Sequence, residues 1–120
     1  MILRLHHIQI TIPNGDESVA RGFYLELLDL TEIPKPDSLK PQTGFWLSLA
    51  GQEIHVSLEH NVSRLGTKAH IAYEVSDLEV WRLRFKNTGF EVLEGLPIPG
   101  FERFETRDPF GNRLEFISTI

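Results

Sequence analysis

A short motif occurs twice in this chain, and that repetition constrains the fold more than any other feature. "GQEIHV" at 51–56 matches "GNRLEF" at 111–116, an offset of 111 − 51 = 60. Earlier in each half, His7-Ile8 matches His70-Ile71, an offset of 70 − 7 = 63. The three-residue difference is an ordinary loop change. Each half reads as strand, helix, strand, loop and hairpin. A lone module of that size cannot bury its sheet, so the two must be built as parts of one fold. The expected class is α+β: two tandem βαβββ modules whose curved mixed sheets enclose a cavity. They form a single domain over 1–120, in repeats of about 1–62 and 63–120.

Periodicity and punctuation place the elements. "LRLHHIQITIP" alternates, which predicts a strand from about Leu3 to Ile12. In "NGDESVARGFYLELLDL", Asn14 and Glu17 have capping-box spacing, and Val19, Phe23, Leu27 and Leu30 recur at helical spacing. "TEIPKPDSLKPQTG" is rich in proline, so it reads as a short edge strand running into a loop. "FWLSLAGQEIHVSLEH" is a hairpin turning at Ala50-Gly51. In the second half, "AHIAYEV" is a strand. "SDLEVWRLRFKNTG" is a helix with Ser76 and Glu79 as capping box and Gly89 as its stop. "FEVLE" is a strand, and "ERFETRDPFGNRLEFIS" is a hairpin. Phe23, Trp81 and Phe85 read as core on the helix faces.

Composition narrows the function. The chain has no cysteine, so disulfides and thiolate chemistry are excluded and a cytoplasmic location is expected. The formal net charge of −5 argues against nucleic acid, which needs clustered Lys and Arg. No apolar run is long enough to span a membrane. The start, "MILRLHHIQITIP", has no signal-peptide pattern and reads as a strand of the mature fold. A metal ion or a small molecule suits the acidic balance.

The candidate site emerges from the repeat. His7 and His70 stand in the first strand of each module, and His55 and Glu115 in the last. Alternation puts Ile8, Ile10, Ile54, Val56, Ile71, Tyr73, Leu114 and Phe116 toward the core and these four toward the other face. A single histidine there is usually just a surface residue, but three at repeat-equivalent positions, with Glu in the fourth, are hard to reach by chance. Pairing the modules is expected to gather them. Three imidazoles and a carboxylate suit Zn, Ni, Co, Fe or Mn, and in a six-coordinate ion two positions stay open for water or substrate. Such an ion acidifies bound water and polarises carbonyl or hydroxyl oxygens. His6 and His60 lie off the pattern and read as surface residues. Gln9 shares the face of His7, and Trp46 falls on the face of His55 by hairpin pairing. Both are pocket candidates.

The motifs "LHHIQITI", "ARGFYLELLDL", "AHIAYEVSDLE" and "DPFGNRLEF" together resemble the vicinal oxygen chelate superfamily over essentially the whole chain. That group includes glyoxalases, fosfomycin-resistance enzymes, extradiol dioxygenases and bleomycin-resistance proteins. The resemblance implies one divalent metal per site with His7, His70 and Glu115 as ligands, and the repeat alignment adds His55 as the fourth. It implies a small substrate with neighbouring oxygens chelated to the metal. Glu115 is the candidate base, with Glu53, Glu105 and Tyr73 as weaker supporting candidates. One position departs: similar bacterial glyoxalases place Glu where this chain has His55, which leaves Glu115 alone to move a substrate proton. For members of this size the resemblance implies a homodimer. The competing reading is a non-catalytic protein of the same fold that sequesters a drug or metabolite.

Overall fold

The structure, a computed structural model, describes all 120 residues. The chain divides into two compact units, Met1–Val62 and Ser63–Ile120. Each builds its own four-stranded mixed sheet.

The first unit contains β1 (His7–Ile12), α1 (Glu17–Arg21), β2 (Thr31–Ile33), β3 (Phe45–Leu49) and β4 (Gln52–Leu58), in sheet order β1-β4-β3-β2. β1 and β4 run parallel and the other pairs antiparallel. A parallel pair needs a crossover, and the helix supplies part of it. The second unit repeats the plan with β5 (His70–Glu74), α2 (Leu78–Asn87), β6 (Leu93–Glu94), β7 (Phe101–Arg107) and β8 (Arg113–Thr119), in order β5-β8-β7-β6. The two-fold βαβββ organisation is therefore present in the molecule.

Each sheet has one apolar face under its helix. In the first unit Ile12, Phe45, Leu47, Ile54 and Val56 are buried with Ala20, Phe23, Tyr24 and Leu28 of the helical segment. In the second, Phe116 stacks on Tyr73, Trp81 and Phe104, with Phe85 tilted beside it. A clamp recurs in both units. Arg21 pairs with Glu32 and lies over the Phe45 ring. Arg82 pairs with Glu94 and lies over Phe104. In each case the arginine ties the helix to the edge strand across an aromatic core residue.

Two turns show why glycine is required. Ala50 and Gly51 both have positive φ, 49° and 84°, the backbone of a tight two-residue hairpin. Gly89 (φ 86°) ends α2: Phe90 N donates to Phe85 O and Gly89 N to Lys86 O, a Schellman closure.

β1 begins at His7, not Leu3, and Met1, Ile2, Leu3 and Leu5 are exposed ahead of it. Alternation alone cannot locate a strand end where no partner strand continues. Asn14 and Glu17 form no capping box: Asp16 is the N-cap residue, without a side-chain cap, and the Glu17 carboxylate instead accepts from Gly44 N. α2 is capped by Asp77, which accepts from Val80 N, while Glu79 pairs with Arg82. Val19 is exposed. The buried stripe is Ala20, Phe23, Tyr24 and Leu28, because the helix widens into a π-helical stretch over Gly22–Leu27 and turns the pattern.

Candidate metal centre

Register settles which side chains share a face. In the first unit His7 pairs with Glu53, Gln9 with His55, and Trp46 with His55. All five therefore stand on the sheet face opposite Ile54 and Val56. The rings form a column: Trp46 stacks on His55 at 3.9 Å, and His55 on His7 at 4.1 Å. His55 is buried, 7% exposed. Its Nε2 donates to Glu53 Oε1 at 2.9 Å, and that hydrogen bond is the main reason the Glu53 carboxyl sits below the usual carboxylate range. His6 Nδ1 and His7 Nδ1 lie 3.0 Å apart, so one donates to the other. His6 is an exposed surface residue, as the sequence implied, and it also touches His7.

In the second unit Ala72 and Glu105 pair with Glu115, and His70 pairs with Arg113. Glu115 is buried, 6% exposed, and its Oε1 lies 3.3 Å from His70 Nε2. The other nitrogen of His70, Nδ1, is 2.9 Å from the carbonyl of Lys68. A carbonyl only accepts, so Nδ1 carries a proton, and Nε2 is the ring nitrogen that faces Glu115. Arg103 Nη1 donates to Glu115 Oε1 at 2.9 Å. Arg113 pairs with Glu105, and this hydrogen bond, more than any other influence, holds the Glu105 carboxyl below its ordinary range.

The donor set fits a divalent ion in chemistry. A backbone carbonyl behind an imidazole is the usual support for a metal-binding histidine. Two neighbouring donors about 2.0–2.2 Å from one six-coordinate ion lie roughly 3 Å apart, close to the 3.3 Å between His70 and Glu115. His7 and His55 each keep one ring nitrogen free of hydrogen bonds. The two pairs are found separately, His7 with His55 and His70 with Glu115. Within neither unit are three or more His, Cys, Asp or Glu side chains gathered around a common point.

Tyr73 is not part of this face. It pairs with Phe116 on the apolar side, where burial and then the Asp108 charge push its phenol far up. Arg103 and Arg113 are the polar residues that the sequence reading missed. The signal was present, since "FERFETR" puts Arg103 on the same side as Glu105 by alternation. Their side relative to Glu115 depends on the turn, however. Asp108 fixes that turn by accepting from Phe110 N and Asn112 N. A groove of about 570 Å³ in the second unit is lined by Arg82, Glu94, Leu96, Phe101 and Arg103, but by neither His70 nor Glu115.

Two four-stranded sheets with parallel outer pairs, each carrying an imidazole on its first strand, define a duplicated βαβββ protein of the glyoxalase type. Residues 4–116 match the profile of the Glyoxalase/Bleomycin resistance protein/Dioxygenase superfamily, and the chain belongs to that superfamily. A glyoxalase family protein from Bacillus anthracis is similar, with 37% identity, a TM-score of 0.90, and coverage of 100% of this chain and 98% of that one. A fosfomycin resistance protein, FosX, from Listeria monocytogenes shares the fold at 22% identity, with a TM-score of 0.79 over 100% of this chain and 94% of its own. An integron cassette protein from V. cholerae shares it at 18% identity, with a TM-score of 0.74 over 98% and 96%. No curated protein matches the sequence. No helix is long and apolar enough to cross a membrane.

Proposed function

We propose that this protein is a metal-dependent enzyme of its superfamily, acting on a small substrate whose neighbouring oxygens chelate one divalent ion. His7, His55, His70 and Glu115 hold the ion. The observation that supports this most directly is the His70–Glu115 pair. The Lys68 carbonyl accepts from Nδ1, which leaves Nε2 as the nitrogen directed at a carboxylate 3.3 Å away. Two such donors face each other favourably only with a cation or a proton between them.

The ion, when bound, supplies Lewis acidity toward the substrate oxygens. The chain's own residues do the rest. Glu115 is the candidate base, since it is the one carboxylate among the four. Trp46 walls the pocket beside His55, and Gln9, Glu53 and Glu105 flank the ligands on the same faces. In a homodimer with shared sites, His7 and His55 come from one chain and His70 and Glu115 from its partner; the alternative is a site made within one chain. Cysteine-free composition supports a cytoplasmic setting.

Elemental analysis of protein purified without added metal tests the reading, followed by activity screens with that metal loaded. A bound transition metal near one equivalent per chain, and turnover that a chelator abolishes, is the expected result. Metal-free protein that takes up no Zn, Ni, Co, Fe or Mn on titration contradicts it.

A further inference from the structure

The guanidinium of Arg103 is seated at three points, all in the second unit. Nε donates to the carbonyl of Leu96 at 2.9 Å. Nη1 donates to Glu115 Oε1 at 2.9 Å. Its plane lies against Gly95, where a Cβ would come within 2.9 Å of Cζ and 3.0 Å of Nε. The strand pattern prepares this arrangement. Arg103 pairs with Ile117, two residues from Glu115 and on the same face. Its side chain is mostly buried, 17% exposed, and the Glu115 side chain beside it is buried too. An arginine held on a carbonyl at one edge offers its other edge in a fixed direction.

That direction matters for Glu115. A carboxylate oxygen has two lone pairs. Oε1 gives one to Arg103 and faces His70 Nε2 with the other side. We propose that Arg103, seated on Gly95, is the positioning residue of the metal site: it fixes Glu115 as a one-oxygen donor aimed at the position in front of His70. The assignment rests on the metal reading above. Without Arg103 the carboxylate is free to rotate and to present both oxygens. Gly95 belongs to the same device, because any side chain there displaces the guanidinium.

Cobalt(II) titration of the full chain tests this, since the cobalt absorption spectrum reports ligand number and geometry. Arg103→Met should weaken cobalt binding about 10-fold and change the spectrum. Gly95→Ala should do the same while keeping the charge. Its fold should survive, because the displaced atoms are the end of a flexible side chain. Arg103→Lys, which keeps the charge and part of the reach, should recover part of the wild-type spectrum. Wild-type affinity and spectrum in both Arg103→Met and Gly95→Ala would overturn the proposal. If the wild type itself binds no cobalt, the metal reading fails, and metal-free crystal structures then decide the role of Arg103. A rotated Glu115 carboxylate in Arg103→Met supports positioning, and an unmoved one refutes it.

Discussion

His70 and Glu115 face each other across 3.3 Å, with His70 held from behind by the contact of its Nδ1 with the Lys68 carbonyl. In the other unit the equivalent positions, His7 and His55, stack face to face at 4.1 Å. The duplication therefore supplies a pair of donors in each half, but in different arrangements.

The ligand types bear on the reaction. The sequence resemblance implies Glu in glyoxalases at the place of His55, and in the proposed ligand set Glu115 is the one carboxylate. The hemithioacetal of methylglyoxal and glutathione should accordingly be a poor substrate. A coupled absorbance assay on nickel- and zinc-loaded protein checks this, and robust turnover would overturn it.

A site shared between chains has a clear signature. His7→Ala chains mixed with Glu115→Ala chains give mixed dimers in which one site keeps all four ligands and the other keeps two. About one metal per mixed dimer should return, because two-fold symmetry makes the sites equivalent in the wild type. No recovery in verified mixed dimers would sink the shared-site arrangement.

The core can be tested independently of any metal. Phe116 is 2% exposed and touches Tyr73, Trp81, Phe85 and Phe104. Phe116→Ala should cost about 3–5 kcal/mol of stability, and Phe116→Leu clearly less. Urea unfolding monitored by circular dichroism measures both.

Tyr73 should make the fold sensitive to alkali. Burial raises its phenol above the ordinary value, with the Asp108 charge adding to the effect. A raised value means that the fold favours the neutral form. Its contribution is therefore complete below the unfolded tyrosine value of about 10 and is lost as pH rises beyond it. Stability should fall more steeply above about pH 10 in the wild type than in Tyr73→Phe. Identical pH profiles would contradict this.

Much of this was legible in the sequence, for identifiable reasons. Matching His7-Ile8 with His70-Ile71, and "GQEIHV" with "GNRLEF", yields the two βαβββ halves because the first pair marks equivalent strand starts and the second joins a turn glycine to an alternating strand. The face shared by Trp46 and His55 follows from a two-residue turn, which fixes register. The side of Arg103 and Arg113 was not legible, because the Asp108–Asn112 turn is set by side-chain hydrogen bonds rather than by spacing. The buried stripe of the first helix was missed because a π-helical stretch departs from the 3.6-residue period. The recurring Arg21–Glu32 and Arg82–Glu94 clamps were also missed, since they join a helix to an edge strand with no local motif.

In the proposed site His7, His55, His70 and Glu115 bind one divalent ion together. Zinc titration by calorimetry on the metal-free wild type and the four single alanine variants tests it most directly. One equivalent per chain is expected for the wild type, with affinity weakened about 10-fold or more in each variant. A wild type that binds no zinc, or variants that all bind as tightly as it does, would contradict the account.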